Sequence, residues 1–240
     1  MSGIIKPIRE TTEFERALLY FLAALVCIGL ESVPVFDITT QQLFFQNGEW
    51  LISEAFHDSY KLLLYAGPKI LIVCTGIGFI TLLVASFTPA LKERLRQWRR
   101  PALLVLICLI FIPYSVAILK TLTGVYSPTD LLPYGGEHEH IGFVAQLYTY
   151  GMTAGGRSFP AGHASGGFAL MALFYLPVQT RMKRSFLLIG LLAGWSMGIY
   201  QMARGEHFLS HTLTTMFIAL AMITLFGKII RSALEHPTCI

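Results

Sequence analysis

The sequence predicts an all-α integral membrane protein, a bundle of six transmembrane helices, and three observations lead to this fold class. Hydrophobic residues make up 54% of the 240-residue chain and charged residues only 13%, and the mean hydropathy is +0.61. Soluble domains carry about 25% charged residues. Uncharged stretches of about 20 residues, the length that crosses a bilayer, recur along the chain. Lys and Arg are concentrated between alternate stretches, as in cytoplasmic loops.

The predicted helices follow one another within a single domain over residues 1–240. They span about residues 17–36, 70–91, 101–119, 164–180, 185–203 and 208–227. The first contains Glu31, and the other five contain no Lys, Arg, Asp or Glu. Two long outer loops are expected at 37–69 and 120–163. The mixed composition of 37–69 fits a short helix at the headgroups and a packed loop equally well.

The positive charges predict the orientation of the bundle. Most of the 18 Lys and Arg residues lie near the chain ends and in the loops after helices two and four, including the run from Lys92 to Arg100. Because cytoplasmic loops hold an excess of these residues, both termini are expected in the cytoplasm. The loops after helices one, three and five are then expected outside.

The composition also excludes several classes of protein. A net charge of +4 is too small to favour nucleic acid as a partner, so the bilayer is the expected partner. Cys27, Cys74, Cys108 and Cys239 have no short pairing spacing, which argues against a disulfide framework or a zinc knuckle. Uncharged helix centres argue against an ion channel or transporter. A homo-oligomer stays open but is not indicated.

Ionisable residues gather at the outer ends of helices three to six. Lys120 follows helix three and His163 precedes helix four. Arg204, His207 and His211 lie at the turn from helix five into helix six. Ionisable residues near the bilayer commonly mark functional sites, and these are all expected on one side of the membrane. They can therefore share one site.

The spacing of His207 and His211 permits two kinds of chemistry, because residues four apart share a helix face. Zinc binding through H-E-x-x-H requires Glu after the first His, and Phe208 stands there, so neither a metal nor another cofactor is predicted. In covalent phosphoryl transfer, one imidazole attacks phosphorus and the second orients it. His163 can then protonate the leaving oxygen.

A phosphoryl site without a metal needs cationic donors and backbone N–H groups. Lys120, Arg157 and Arg204 are the available cations. Ala161 and Gly162 precede a predicted helix, whose N-terminus is a ready anion site. These five residues are the candidates for holding the phosphoryl oxygens.

Three blocks of the sequence, over about residues 120 to 211, resemble the type 2 phosphatidic acid phosphatase family. That family's blocks read K-x6-R-P, P-S-G-H and S-R-x5-H-x3-D. The corresponding blocks here are Lys120 with Ser127-Pro128, Pro160-Ala161-Gly162-His163, and Tyr200-Gln201 with His207 and His211. The resemblance implies that His207 is the nucleophile, His163 the general acid and Lys120 a phosphate ligand.

The blocks depart from the family at five positions. Ser127, Ala161, Tyr200, Gln201 and His211 stand where the family has Arg, Ser, Ser, Arg and Asp. Our hypothesis is that Arg157 and Arg204 replace the two missing arginines, with Gln201 retained as a phosphate-binding candidate. His211 is expected to replace the Asp as a neutral imidazole that accepts a hydrogen bond from His207, and mild acidification is then expected to lower activity.

The outer loop also contains Glu137-His138-Glu139-His140. This run is compatible with a metal site, with a solvated loop and with a lid over the phosphate site. The sequence favours the solvated loop.

The sequence therefore predicts a metal-independent membrane phosphatase. Its expected substrate is a lipid phosphomonoester or pyrophosphate, and its site is expected at the periplasmic face of a bacterial inner membrane. Undecaprenyl pyrophosphate, phosphatidylglycerophosphate, phosphatidic acid and lipid A all satisfy the resemblance. Two alternatives stay open: a lipid-to-lipid phosphotransferase that uses the same histidine, and a non-catalytic phospholipid-binding protein.

Overall fold

A computed structural model describes residues 12–52, 60–150 and 155–235, which are almost entirely helical. The α-helices are α1 (Glu13–Glu31), α2 (Pro34–Gln41), α3 (Gly67–Ala85), α4 (Lys92–Leu95), α5 (Arg99–Thr123), α6 (Phe143–Tyr150), α7 (Gly162–Ala169), α8 (Thr180–Ala203) and α9 (Leu209–Glu235). The predicted all-α class is confirmed.

Shorter elements connect these helices. An antiparallel hairpin pairs β1 (Phe45–Gln46) with β2 (Glu49–Trp50). A π-helical turn, Leu62–Ala66, runs directly into α3. The 3-10 turns are Arg96–Trp98, Pro128–Asp130, Leu132–Tyr134 and Leu170–Tyr175.

Several of the helices are suited to a bilayer. Within the described ranges, four segments are long and apolar enough to cross one: Leu62–Ala85, Lys92–Asp130, Thr180–Ala203 and Leu209–Arg231. The pair Glu13–Glu31 and Val35–Gln41, bent by 80°, passes the same test together, which makes up to five spans. The structure is thus compatible with a membrane protein. The sixth crossing and the cytoplasmic termini stay predictions.

The predicted helix 164–180 is wrong as a single helix. The structure has α7, then the 3-10 turn Leu170–Tyr175, and Leu176 is extended with ψ 148°. Pro177 explains the break, because a proline disfavours helical backbone in the residue before it. The predicted helix 17–36 likewise ends at Glu31, and Pro34 begins α2.

The first and last long helices lie side by side. Arg231 near the end of α9 forms a salt bridge with Glu13 at the start of α1. The two helices therefore have these ends at one end of the bundle. Lys120 at the end of α5 and His211 at the start of α9 belong to the opposite end.

Small residues let α8 approach its neighbours closely, as helix packing in membranes favours. A Cβ atom on Gly190 would lie 2.4 Å from the Met171 nitrogen, and one on Gly194 would lie 2.2 Å from the Phe168 ring. One on Gly198 would lie 2.5 Å from Thr212. These glycines make contacts within the chain, which place α8 firmly against α7 and α9.

Candidate active site

The three histidines of the predicted site lie together. His163 is in the first turn of α7, His207 is in the turn between α8 and α9, and His211 is in the first turn of α9. The ring centroids are 5.8 Å apart for His163 and His207, and 6.0 Å apart for His207 and His211. His207 and His211 are almost fully buried, at 1% and 0% exposure. Sequence blocks from separate helices thus form one cluster.

The end of α8 explains how His207 reaches this position. The N–H of Gly205 donates to the Met202 carbonyl oxygen, and the N–H of Glu206 donates to the Gln201 carbonyl oxygen. This is the Schellman arrangement, which requires a left-handed residue after the helix cap, and Gly205 has φ +76°. A Cβ atom on Gly205 would also lie 2.4 Å from the Trp50 ring. Only glycine fits here, and the turn that it makes leads directly into His207.

The start of α9 is held by a carboxylate from the outer segment. Asp37 of α2 is fully buried, and its two oxygens accept hydrogen bonds from the backbone N–H and the hydroxyl of Ser210. A carboxylate at a helix N-terminus satisfies free N–H groups and opposes the positive end of the helix dipole. Asp37 therefore fixes the helical turn that carries His211.

Ser158, a residue outside the motif blocks, joins the two buried imidazoles. Its Oγ lies 3.1 Å from Nδ1 of His207 and 3.2 Å from Nδ1 of His211. Its backbone also lies within hydrogen-bonding range of both rings. The expected direct hydrogen bond from His207 to His211 is therefore corrected: both Nδ1 atoms face Ser158.

The hydrogen bonds of Ser158 indicate the tautomer of His207. The Ser158 hydroxyl donates to the Glu206 carbonyl oxygen at 2.5 Å, so its oxygen can only accept from the two imidazoles. Each imidazole then carries its proton on Nδ1. Nε2 of His207 keeps a lone pair, and it has no hydrogen-bond partner among the described residues. This is the arrangement that a nucleophile requires.

Burial and nearby charge keep His207 and His163 neutral. Burial lowers the pKa of His207 well below its ordinary value, and the positive charges of neighbouring groups, Lys120 among them, act in the same direction. Burial also lowers the pKa of His163 to about 4, together with the charges of Lys120, Arg204 and Lys69. At neutral pH both imidazoles are therefore uncharged when no anion is bound.

The predicted cations surround the cluster at different depths. Lys120 is half-buried, and a Cβ atom on Gly162 would lie 3.8 Å from its Cδ. Arg157 is exposed and interacts electrostatically with Lys120. The structure therefore brings Lys120 and Gly162 into contact at the start of α7, with Arg157 at the rim.

Arg204 lies beside Gln201, which occupies the position of a family arginine. An Nη atom of Arg204 donates to the Gln201 side-chain oxygen at 3.4 Å. The guanidinium also lies 3.7 Å from the Glu206 carboxylate, and its charge acts on His163. Gln201 is buried at 3% exposure, whereas Arg204 is partly exposed. Arg204 is thus in hydrogen-bond contact with the residue that stands in place of the family arginine.

The backbone groups of Ala161 are both hydrogen-bonded in the structure, whereas the sequence analysis expected a free N–H there. Its N–H donates to the His211 carbonyl oxygen at 3.3 Å, and its carbonyl oxygen accepts from Thr215 at 3.1 Å. Ala161 therefore fastens the start of α7 to α9. Gly162 and His163 begin α7, and the first N–H groups of a helix have no partner within it.

Ser127, the other vacated arginine position, has a structural role. Its N–H donates to the Asp130 carboxylate at 3.0 Å, and its hydroxyl contacts Asp130 and Thr129. It thereby caps the 3-10 turn Pro128–Asp130. Ser127 therefore serves as a turn cap where the family has an arginine.

The sequence analysis missed the contribution of the segment before α3. Tyr65 lies in the π-helical turn, and its ring is 5.4 Å from the His163 ring and 5.8 Å from the Tyr200 ring. Lys69 lies one turn later, over the Tyr65 ring, and its charge acts on His163. Such π-helical turns are frequent at functional sites. Nothing in the sequence connects this segment with the distant motif blocks.

The Glu-His-Glu-His run lies against the outer wall of the site. The exposed ring of His138 stacks on Tyr126 at 3.9 Å. His140 packs against Phe208, and Phe208 in turn packs against His211. Within residues 12–52, 60–150 and 155–235, no group of three or more His, Cys, Asp or Glu side chains is arranged to hold a metal ion.

Comparison with known proteins identifies the family. No curated protein and no solved structure is significantly similar to the chain. The sequence profile described as the PAP2 superfamily matches residues 101–233, more than half of the chain. The match contains all three motif blocks and the histidine cluster, and it indicates phosphatase activity on a phosphoester. The chain therefore belongs to the PAP2 superfamily.

Proposed function

We propose that the protein is a membrane lipid phosphatase that hydrolyses a lipid phosphomonoester or pyrophosphate through a phosphohistidine on His207, without a metal. One observation carries the proposal: Nε2 of His207 is unpartnered within the described chain, while Nδ1 of the same ring is held by Ser158. A histidine whose Nδ1 atom is held by a hydrogen bond and whose Nε2 atom is free is prepared to attack phosphorus through Nε2.

In the first step, the lone pair on Nε2 of His207 forms the N–P bond while the bond from phosphorus to the leaving oxygen breaks. His163 gives its proton to that oxygen. With a pKa of about 4, His163 is neutral in the free enzyme, and the negative charge of a bound phosphate raises its pKa. Substrate binding therefore supplies the protonated general acid.

In the second step, water attacks phosphorus and the N–P bond breaks. His163 accepts the proton of the water, and its charge state is restored. The electron pair of the N–P bond returns to Nε2 of His207, and inorganic phosphate leaves. The covalent and proton-transfer steps therefore use only His207, His163, the substrate and water.

The developing negative charge is stabilised by fixed cations and dipoles. Lys120 is the central cation, because its charge acts on both His163 and His207. Arg204 takes the place of the family arginine at Gln201, which orients it, and Arg157 is a further cation near Lys120 at the rim. The N-terminus of α7 adds the N–H groups of Gly162 and His163, which have no partner within the helix.

The lipid substrate and the location are part of the proposal. Histidines at the end of long apolar helices suit a phosphate on a lipid headgroup at the membrane interface. The opposite end carries most of the described basic residues together with the start of α1 and the end of α9, which supports cytoplasmic termini and a periplasmic site in a bacterial inner membrane. The proposal treats residues 1–240 as one domain.

Phosphate release tests the proposal. Detergent-purified wild type and His207→Ala are compared with EDTA present, on phosphatidic acid, phosphatidylglycerophosphate, undecaprenyl pyrophosphate and lipid A. The matched control is His138→Ala, because His138 is exposed and stacks on Tyr126. EDTA-resistant release is expected from wild type and control and is expected to be lost in His207→Ala.

Other results would redirect the proposal. Release that depends on an added lipid acceptor would identify a phosphotransferase. Equal release from wild type and His207→Ala would reject the histidine mechanism, and loss of activity with EDTA would reject metal independence. Binding of these lipids without turnover would favour the non-catalytic alternative.

A further inference from the structure

A cavity lined by basic residues lies at the opposite end of the bundle from the histidines. A cavity of about 190 Å³ is lined there by basic residues of three different helices. These are Arg100 near the start of α5, Lys183 near the start of α8 and Arg231 near the end of α9. The other ends of the same helices approach the histidine cluster, so the two sites are separated by the length of the bundle.

The cavity lies beside the break in the predicted helix 164–180. Phe174 and Tyr175, the last residues of the 3-10 turn, form part of its wall. A second cavity of about 170 Å³ shares these two residues. Pro177 ends the helical segment here, as described above, and the space beside Tyr175 is open to a ligand.

The charges around the cavity are not balanced within the protein. Arg231 pairs with Glu13 and lies 5.2 Å from the centre of the Tyr175 ring. The side chains of Arg100 and Lys183 have no hydrogen bond or ion pair with any residue that the structure describes. Two positive charges therefore remain without a partner at one cavity. A phosphate group carries between one and two negative charges, which matches them.

The remaining wall of the cavity is apolar and is formed mainly by Pro101, Leu104 and Ile230. Basic side chains beside an apolar wall at the end of a membrane helix suit a headgroup phosphate whose lipid chain lies along the wall. The neighbouring Lys92, Arg94 and Arg96 are exposed, as Arg100 is, but they do not line the cavity, and Arg99 is occupied by hydrogen bonds to Ser86. Arg100 and Lys183 differ because they line a cavity.

We propose that this cavity is a phosphate-binding site, separate from the catalytic histidines, and that its apolar wall favours an anionic phospholipid over inorganic phosphate. The proposal does not depend on the proposed catalytic function. It assigns the site to an anchoring or regulatory lipid at the leaflet opposite to the histidine cluster.

Lipid binding by the purified full-length protein tests this proposal. Thermal stability in detergent is measured with added phosphatidylglycerol, phosphatidylcholine or inorganic phosphate. The test variant is Arg100→Gln/Lys183→Gln. The matched control, Arg94→Gln/Arg96→Gln, loses the same charge from exposed residues that do not line the cavity.

Phosphatidylglycerol is expected to raise the melting temperature of wild type and control but not of the test variant. Each basic residue near an anionic headgroup strengthens binding roughly fivefold, so the double variant is expected to bind about 25-fold more weakly. Native mass spectrometry of Lys183→Gln gives a second readout, the loss of a tightly bound phosphatidylglycerol, if the double variant is unstable.

The responses of the test and control variants distinguish a specific lipid site from general surface charge. An equal response to phosphatidylglycerol in test and control variants would overturn the proposal, because general surface charge would then explain the binding. A response to phosphatidylcholine as large as that to phosphatidylglycerol would also overturn it. A response to inorganic phosphate that only the test variant loses would keep the site and make free phosphate its ligand.

Discussion

Replacement of Ser158 by alanine removes a single hydroxyl on which the geometry of both buried imidazoles depends. Ser158 is 2% exposed, and its hydroxyl donates to the Glu206 carbonyl oxygen while it lies 3.1 Å and 3.2 Å from the Nδ1 atoms of His207 and His211. Without it, the backbone of Ser158 still hydrogen-bonds to the two rings, but the contact that joins both Nδ1 atoms to one hydroxyl is lost. The orientation of His207 is then less well defined.

The expected cost follows from the charge that develops on His207. The imidazole becomes cationic as it attacks phosphorus, and a hydrogen bond to a charged group contributes about 1.5–3 kcal/mol. At about 1.4 kcal/mol for each factor of ten, this corresponds to roughly a 10- to 100-fold loss in kcat. Because the hydroxyl lies behind the ring, on the side away from the free Nε2, KM is expected to change little.

Steady-state kinetics on the best lipid phosphate measures this effect. Ser158→Thr keeps a hydroxyl and is expected to retain more activity than Ser158→Ala. Ser165→Ala is the matched control, because Ser165 is 1% exposed and its hydroxyl donates to the Gly162 carbonyl oxygen in its own helix. Wild-type kcat in Ser158→Ala, or an equal loss in Ser165→Ala, would refute the assignment of Ser158.

Three further perturbations test other parts of the account. Arg204→Ala is expected to lower kcat/KM roughly 10- to 100-fold through loss of a charge-assisted phosphate contact. Arg181→Ala, at the far end of α8, is expected to leave kcat/KM unchanged. Equal kinetics in the two variants would reject Arg204 as a phosphate ligand. Gly205→Ala is expected to melt at a lower temperature than Gly135→Ala, although both glycines have positive φ. A Cβ atom on Gly205 would lie 2.4 Å from the Trp50 ring, whereas one on Gly135 would meet open space. Equal melting temperatures would contradict this. The pKa of His163 is about 4 when folded and about 6.5 when unfolded, so the unfolded chain takes up the extra proton as pH falls from 6.5 towards 4. Folded wild type is expected to lose about 2 kcal/mol from this group at pH 5, and His163→Asn to lose less melting temperature than wild type between pH 7.5 and pH 5; an equal loss would show that His163 is not buried as described.

The sequence predicted the long helices well because an apolar stretch of about 20 residues has few alternatives to a membrane helix. The predicted 101–119, 185–203 and 208–227 each lie almost wholly within an observed helix. The count of uncharged residues failed at 164–180, because it took no account of backbone conformation at Pro177. Hydropathy therefore locates the long helices, but proline decides where this helix ends.

The motif blocks predicted the histidine cluster, because three short patterns at the ends of helices converge in the fold. They could not predict the hydrogen bonds that orient it. Ser158 and Asp37 act through contacts with His207, His211 and Ser210, and the last of these contacts joins residues far apart in the chain. Tyr65 and Lys69 were missed for the same reason.

The positions where this chain lacks a family residue show where motif comparison and structure differ. Ser127 caps a turn and Ala161 fastens α7 to α9, so neither departure leaves an empty phosphate site. Only Arg204 lies where a missing arginine can be replaced directly. A comparison of motif letters alone does not separate these three cases, because each depends on what the side chain or backbone contacts.

The most direct test of the central claim is detection of phosphate covalently bound to His207. Purified protein is mixed with its lipid phosphate, quenched within the first turnover and examined by peptide mass spectrometry under conditions that preserve phosphohistidine. The account predicts a phosphorylated peptide that contains His207 and that is absent from the His207→Ala variant. Turnover with no phosphorylated intermediate, or phosphate on His163 or His211 instead, would contradict it.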